Sequence, residues 1–473
     1  MRVTVIGGGM IGLCTTMLLA RDGHEVTILE RDAAEPPDPA DAWDHWERRG
    51  VNQARLPHLF LARFRAFLDT ELPELVTDLE AAGALRYSVV GQIPAELTGG
   101  ARAGDDALDM LTGRRTVIEA VTAARAAVTP GVTIRRGSVV AGMVTGAADG
   151  NVPHVSGVRL DSGAEIDSDL VLDASGRRSA LPGWLEAIDA APCRDEVEDS
   201  GFVYYGRHFR SADGTLPPLI GPARFDYGTL TVLALPADNG TWSVTLVGSS
   251  TDTALRALRD VDTWTRVVRS LPLHAHWLDG EPLEDHIVFM GKIEDRIRDT
   301  APGGVPVASG LLAVGDAWAC TNPSLGRGVS IGSMHAVALR DLLRRADGMG
   351  PLELATGWAE ATRSTVEPWY RTTLRVDRHR LREVDAQLAG ETYETDDEEW
   401  NQLRALERAT LASGDILRAQ LMTSMCLVLP EEIFSDPAFV RSVIEAAAAA
   451  DDEPTLGPDR AALLETIGGT HAG

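Results

Sequence analysis

Lysine is almost missing from this chain: of 44 basic residues only Lys292 is a lysine, the others being arginines. Against 70 acidic residues they leave a formal net charge of −26, and no run of them is basic enough to offset it locally. Such a surface repels a phosphate backbone, which argues against nucleic acid or an anionic membrane surface as a partner. Cysteine is scarce as well. Four, at Cys14, Cys193, Cys320 and Cys426, are too few and too far apart for a disulfide framework, a zinc knuckle or a redox pair. The expected compartment is the reducing cytoplasm. Long apolar runs are also absent. The nearest, from Val3 to Ala20, carries four glycines and runs into a charged strand ending at Glu30. It reads as a buried strand and helix, not as a signal peptide or membrane span. No repeat of 20 to 50 residues is present. What remains is 473 residues, 44% hydrophobic and 24% charged, enough for a sizeable core in about three folding units of roughly 150 residues.

Arg2 to Ile6 is a short β-branched run, the opening strand of a parallel sheet. Gly7, Gly9 and Gly12 follow in G-x-G-x-x-G spacing, then a helix over residues 11–22 and a second strand from Glu25 to Glu30. The first glycine permits a tight turn, the second lets the backbone approach a pyrophosphate, and the third lets helix and strand pack closely. Glu30 stands where a carboxylate accepts both ribose hydroxyls of an adenine nucleotide, and it would repel a 2′-phosphate. NADP is therefore disfavoured, whereas NAD and FAD both stay open on this segment.

About 300 residues downstream, an apolar strand Leu311-Leu312-Ala313-Val314 ends in Gly315-Asp316-Ala317-Trp318. Asn322-Pro323-Ser324-Leu325-Gly326-Arg327-Gly328 then leads into a helix from about Val329. With the N-terminal fingerprint, these motifs resemble the p-hydroxybenzoate hydroxylase-like superfamily of FAD-dependent monooxygenases. The resemblance implies that Asp316 binds the flavin ribityl chain and that Pro323, Gly326, Arg327 and Gly328 lie along the isoalloxazine ring, where a helix N-terminus would stabilise reduced flavin. That loop is the best candidate for the reaction site, with Trp318 beside it on the substrate side.

Two further segments extend the likeness over residues 1–345. Leu170-Val171-Leu172-Asp173-Ala174-Ser175-Gly176-Arg177-Arg178-Ser179 resembles the Asp-Ala-Thr-Gly-like motif that closes the central strand in related flavoproteins, and places Asp173 among the cofactor residues. In hydroxylases that take electrons directly from NADPH the stretch is usually Asp-Gly-x-x-Ser-x-x-Arg. Here alanine follows the aspartate and the last arginine is displaced. Reducing equivalents from NAD(P)H are thus expected through a separate flavin reductase or by slow direct reduction. Arg48 to His58 resembles an Arg-Gly-Val-Pro-Gln-x-x-His-x-His pattern in a subset that includes polyketide (polyether-type) epoxidases; Arg49, Gln53 and His58 fit, and Asn52 and Leu56 depart. The resemblance assigns Arg49 to the FAD phosphates and makes Arg115 a second cofactor-contacting arginine.

The expected fold is α/β. A Rossmann-like FAD-binding domain with a parallel sheet (1–190 and 299–345) carries an inserted antiparallel-sheet substrate domain (191–298) and a C-terminal helical region (346–473). Helix is expected over 56–82 and 115–127. Residues 155–160 and 166–172 read as one hairpin about Asp161-Ser162-Gly163, and strands at 202–209, 230–235 and 241–247, the last two joined through Asp238-Asn239-Gly240, read as the roof sheet. The acidic run 396–399 reads as solvated surface, and the tail beyond Asp451 as frayed.

The resemblance implies that reduced FAD reacts with oxygen to a C4a-hydroperoxide, kept dry and aimed at a largely apolar polyketide- or polyene-like small molecule. Epoxidation needs no side-chain base; phenol hydroxylation would favour one, for which His58, His208, Tyr204 and Tyr205 are candidates. His274 and His276 lack a third ligand and read as surface residues, so no metal is expected. Flavin halogenases share the fold but require an active-site lysine and a Trp-x-Trp-x-Ile-Pro segment, and the sole lysine, Lys292, precedes Glu294-Asp295-Arg296 far from any such motif. The alternative reading is a flavoprotein of the same fold that dehydrogenates or cyclises without oxygen insertion. Oligomeric state, substrate identity and regiochemistry are left open.

Overall fold

A computed structural model describes residues 1–48, 50–51, 53–450 and 456–469. Its centre is a five-stranded parallel sheet in the order Leu311–Ala313, Leu170–Asp173, Arg2–Ile6, Glu25–Glu30, Val132–Arg136. The three inner strands are buried almost end to end, as continuous apolar runs covered on both faces must be. Helices Met10–Arg21, Arg115–Ala127 and Gly328–Arg344 pack together on one face, closing a core of Val3, Val5, Leu13, Met17, Ile28, Leu172 and Leu339. The strands that carry the two nucleotide motifs, near the chain's start and near residue 315, thus lie two strands apart in one sheet.

The expected hairpin about Asp161-Ser162-Gly163 forms, but its second arm ends at Asp167 and not at 172. Val155–Leu160 pairs with Glu165–Asp167 and with Val140–Thr145 in a separate three-stranded antiparallel sheet, and the chain then leaves it. Leu170–Asp173 inserts between Arg2–Ile6 and Leu311–Ala313 instead. The reason is burial: all four residues Leu170 to Asp173 are buried, whereas Glu165–Asp167 is solvated. The helix expected over 56–82 is two helices, Ala62–Glu71 and Pro73–Ala81. Pro73 has no N–H to donate and drives Leu72 out of helical geometry, while residues 56–61 run extended, Phe60 bridging Leu111.

The roof is an antiparallel sheet in the order Arg224–Tyr227, Leu230–Pro236, Thr241–Ser249, Phe202–Arg210, Glu281–Pro282, with Val288–Met290 also on Phe202–Arg210. Side chains alternate across it. One face packs on helix Val261–Arg269 through Tyr205, Val232, Val244 and Trp264; the other carries Phe202, Tyr204, Leu233 and Val247. The turn at Asp238 plugs into the cofactor-side chain. Arg114 donates to Asp238 from its backbone N–H and guanidinium, both at 2.6 Å, in a pair almost wholly removed from water.

Helices Pro351–Thr365, Glu367–Ala389, Glu398–Arg408, Gly414–Ser424 and Pro437–Ala449 follow. The acidic run 396–399 is more than solvated surface. Asp397 caps helix Glu398–Arg408 by accepting from the Trp400 N–H, and its other oxygen faces His379 Nε2 at 3.1 Å. The frayed tail is corrected too: Arg460–Gly468 is a helix against Val261–Arg269, with Leu463 buried and Arg460 paired with Asp252. Residues 451–455 and 470–473 lie outside the described residues. No helix among the described residues is long and apolar enough to cross a membrane.

Candidate functional site

The fingerprint loop is shaped by what its glycines lack. Gly7 sits at φ +106°, and a Cβ there would stand 2.6 Å from the Ala174 carbonyl oxygen; a Cβ on Gly12 would run into the carbonyl oxygen of Gly7. A Cβ on Gly9 would meet nothing within 4 Å. That open space lies at the N-terminus of helix Met10–Arg21, which has no side-chain cap, so its first N–H groups are free for an anion. Glu30, buried at the end of its strand, accepts from the backbone N–H of Gly8 (2.9 Å) and of Asp32 (2.8 Å). Its carboxylate is thereby fixed beside the loop.

Beside this cradle, Glu119 joins two arginines. Arg48 reaches it at 3.0 Å and Arg115 at 2.7 Å. Burial alone would raise the Glu119 carboxyl, yet Arg115 and Arg48 hold it below the usual range. Arg115 also donates to His58 Nε2 at 2.9 Å, while His58 Nδ1 donates to the Leu56 carbonyl. Burial, then the Arg115 charge, pushes His58 down to about 3, so it is a neutral ring that orients an arginine. Arg49 lies outside the described residues.

Asp316 is partly exposed and its carboxylate has no partner among the described residues. The loop before it is rigid: Gly315 N–H donates to His335 Nδ1 (3.1 Å), and His335 Nε2 donates to Thr362 Oγ1 (3.0 Å) while the ring stacks on Trp358. Pro323–Leu325 is a single 3-10 turn ending in Gly326, and helix Gly328–Arg344 again starts without a side-chain cap. An uncapped helix start at each end, an open backbone at Gly9, a buried ribose-type carboxylate and a free carboxylate at Asp316 together fit an adenine-flavin dinucleotide.

Five expectations are corrected. Asp173 is wholly buried, accepting from Ser175 N–H and Oγ at one oxygen and from Ser179 Oγ at the other, so it closes its own turn and presents no exposed oxygen to a cofactor. The Arg327 side chain leaves the loop for the C-terminal helices, donating to Thr373 Oγ1 and the Thr423 carbonyl. Tyr205 points to the far face of the roof sheet, against Phe289; a one-residue step in a strand reverses the face. Trp318 turns away from the roof toward His335 and Tyr370. Of the histidines, His274 is buried and bonded to Tyr227 OH, not a surface residue, and His208 is paired with Glu284 at 3.0 Å.

Tyr204 faces inward. With Leu56, Phe202, Leu233, Val247, Met290 and Ile293 it forms an apolar cluster. Its hydroxyl donates to Asn322 Oδ1 at 2.7 Å, and burial, then the nearby Asp377, pushes its pKa well above the ordinary 10. It is therefore a neutral phenol and not a base. Three buried polar atoms around this cluster have no partner among the described residues: Thr245 Oγ1, Arg224 Nε and Asp377 Oδ2. Asn322, Asp377 and the Arg114–Asp238 pair were not singled out for these roles from the sequence. Asn322 stood inside the loop motif, but Asp377 sits in an arginine-rich helix whose charge pattern looks fully solvated.

Residues 2–37 match the family profile described as FAD dependent oxidoreductase. The protein Rv3254 of Mycobacterium tuberculosis is 26% identical over 396 residues, 77% of each chain. Among solved structures, 2-methyl-3-hydroxypyridine-5-carboxylic acid oxygenase superposes with TM-score 0.58 at 15% identity, over 80% of this chain and 91% of that one. The anhydrotetracycline hydroxylase OxyS of Streptomyces rimosus gives 0.57 at 20%, over 91% and 77%. This chain has the fold of these neighbours, which are FAD-dependent monooxygenases. The Diels-Alderase PyrE3 of pyrroindomycin biosynthesis shares that monooxygenase fold, with TM-score 0.55 at 16% identity, over 90% of this chain and 81% of that one.

Proposed function

We propose that the protein is an FAD-dependent monooxygenase that hydroxylates or epoxidises a largely apolar, polyketide- or polyene-like small molecule in specialised metabolism. The observation that carries this reading is the stacking of two unlike surfaces. Asp316 and the uncapped start of helix Gly328–Arg344 offer free polar groups for a flavin, and the apolar cluster around Tyr204 is tied to the loop before that helix through Asn322. FAD, once bound and reduced, supplies from molecular oxygen an electrophilic oxygen atom for transfer. The chain's own residues do the rest. Gly7, Gly9, Gly12 and Glu30 hold the adenine nucleotide, with Arg115 as a further cofactor contact; Asp316 takes the ribityl chain, and Pro323 to Gly328 lie along the ring. Leu56, Phe202, Leu233 and Val247 exclude water, and Thr245, Arg224 and Asp377 offer polar anchors at the cluster's margin. On this reading residues 1–190 and 299–345 serve the cofactor, 191–298 roof the substrate, and 346–473 brace both.

Alanine after Asp173, the displaced arginine of that motif and a single nucleotide fingerprint support a separate flavin reductase. Fast bleaching of the bound flavin by NADPH alone, accelerated by substrate, would overturn that part. The main test uses FAD-loaded protein, a supplied reductase and 18O2 with aromatic polyketide and polyene candidates. A product heavier by one labelled oxygen is the expected outcome; product formed without label would sink the proposal. A second reading, cyclisation over a flavin that stays unreacted, is favoured by the likeness to PyrE3, and undiminished turnover without oxygen would select it.

A further inference from the structure

The carboxyl that joins the three parts of the molecule lies in no sequence motif. Asp377 is in mid-helix in Glu367–Ala389 and 4% exposed. Its Oδ1 accepts from the Ser324 hydroxyl and from Asn322 Nδ2 at 3.2 Å. Asn322 Oδ1 in turn accepts from Tyr204 O–H, and its backbone N–H donates to Asp295. The proton directions are determined: a phenol held at high pKa donates to the amide oxygen, so the amide NH2 must face the carboxyl. One side chain from the C-terminal region therefore sets both the loop 322–328 and the hydroxyl that faces the apolar cluster. Asp377 Oδ2, although buried, has no partner among the described residues.

We infer that Asp377 is the positioning residue of this site, gripping the flavin-edge loop and Tyr204 tightly when ionised and loosely when neutral; this rests on the monooxygenase reading above. Burial first, and then the neighbouring Asp295, pushes the carboxyl up to about 7, against donation from Ser324 and Asn322 and the charge of Arg224. The groups facing it are Asp295, itself raised by burial to about 6, on strand Glu294–Asp299; Tyr204 on Phe202–Arg210; and Arg224 on Arg224–Tyr227, whose charge is shared with Asp226 and Glu407. Arg380 and Glu383 stand next along its own helix. An ionised acceptor strengthens both incoming hydrogen bonds, so the loop tightens as pH rises through neutrality.

Asp377→Asn reproduces the neutral acid at every pH, and Ser324→Ala removes one donor to the ionised form. The first measurement is the thermal midpoint of each protein from pH 4 to 8, without flavin. Because the folded value lies above the unfolded value of about 3.9, ionisation opposes folding: the Asp377 contribution to wild-type stability declines from about pH 4 to about 7 and is flat beyond. The midpoint of Asp377→Asn relative to wild type should therefore climb over that window and level off. The second measurement is the visible spectrum of bound FAD, with kcat and KM, on the reconstituted enzyme. Wild type should show a transition near pH 7; Asp377→Asn should lack it and resemble wild type at pH 6, losing kcat several-fold with KM within twofold. Ser324→Ala should move the transition upward by roughly half a pH unit. If FAD binds and the transition survives in Asp377→Asn or stays unmoved in Ser324→Ala, the inference is overturned and the monooxygenase reading stands. If no FAD binds, that reading falls and takes the inference with it, whatever the midpoints show.

Discussion

The two halves of the site are made from different materials. The nucleotide cradle is built from backbone: glycines at 7, 9 and 12, an uncapped helix, and one carboxylate 18 residues on. The roof is built from side chains that meet across long stretches of chain, Tyr204 with Asn322, Arg114 with Asp238, Asp377 with Ser324. A backbone cradle tolerates almost no added atom but asks little of the rest of the molecule. A side-chain roof tolerates repacking, provided that no buried charge loses its partner.

That contrast can be broken most directly at Gly12. Alanine there collides with the Gly7 carbonyl; we expect flavin affinity to fall by at least about a hundredfold, near 3 kcal/mol, read as flavin retained after gel filtration, with a lower thermal midpoint. Asp238→Ala tests the roof. It strands the Arg114 guanidinium in a buried site and should cost about 3–5 kcal/mol in chemical denaturation, while flavin affinity of the folded fraction stays within a few-fold. A comparable loss of affinity would show that the two halves are not separable. Leu463→Ala probes the terminal helix behind the roof and should cost about 2–4 kcal/mol by the same assay, with no change in the flavin spectrum. The smallest effect is expected for Glu30→Gln, which keeps the shape but weakens the hold on ribose: about tenfold in affinity, near 1.4 kcal/mol, by fluorescence titration. An unchanged constant would remove Glu30 from the cradle.

Legibility followed the same division. The strand, loop, helix and strand of residues 2–30 were read to within a residue because spacing and glycine sterics are local. The Gly315-Asp316 strand and the three long roof strands were legible from β-branched runs and a turn at 238–240 for the same reason. What failed was direction and partnership. Tyr204 and Tyr205 are indistinguishable as neighbours in a string, yet they lie on opposite faces of a sheet. Asp173 has the spacing of a cofactor ligand in the string, yet the fold buries it completely behind Ser175 and Ser179. Asp377, among eight other arginines and acids of one helix, carried no signal, because what distinguishes it is the absence of water around it.

Sequence by itself determined the nucleotide-binding unit, the alternation of sheet types and the polarity of the two surfaces, since each follows from short-range geometry and from which side chains leave water. Tertiary structure alone decided which polar groups face one another across the loop at 322–328. Their chemistry depends on burial and on partners 50 to 120 residues away, and those distances close only when the sheet, loop and C-terminal helix pack together.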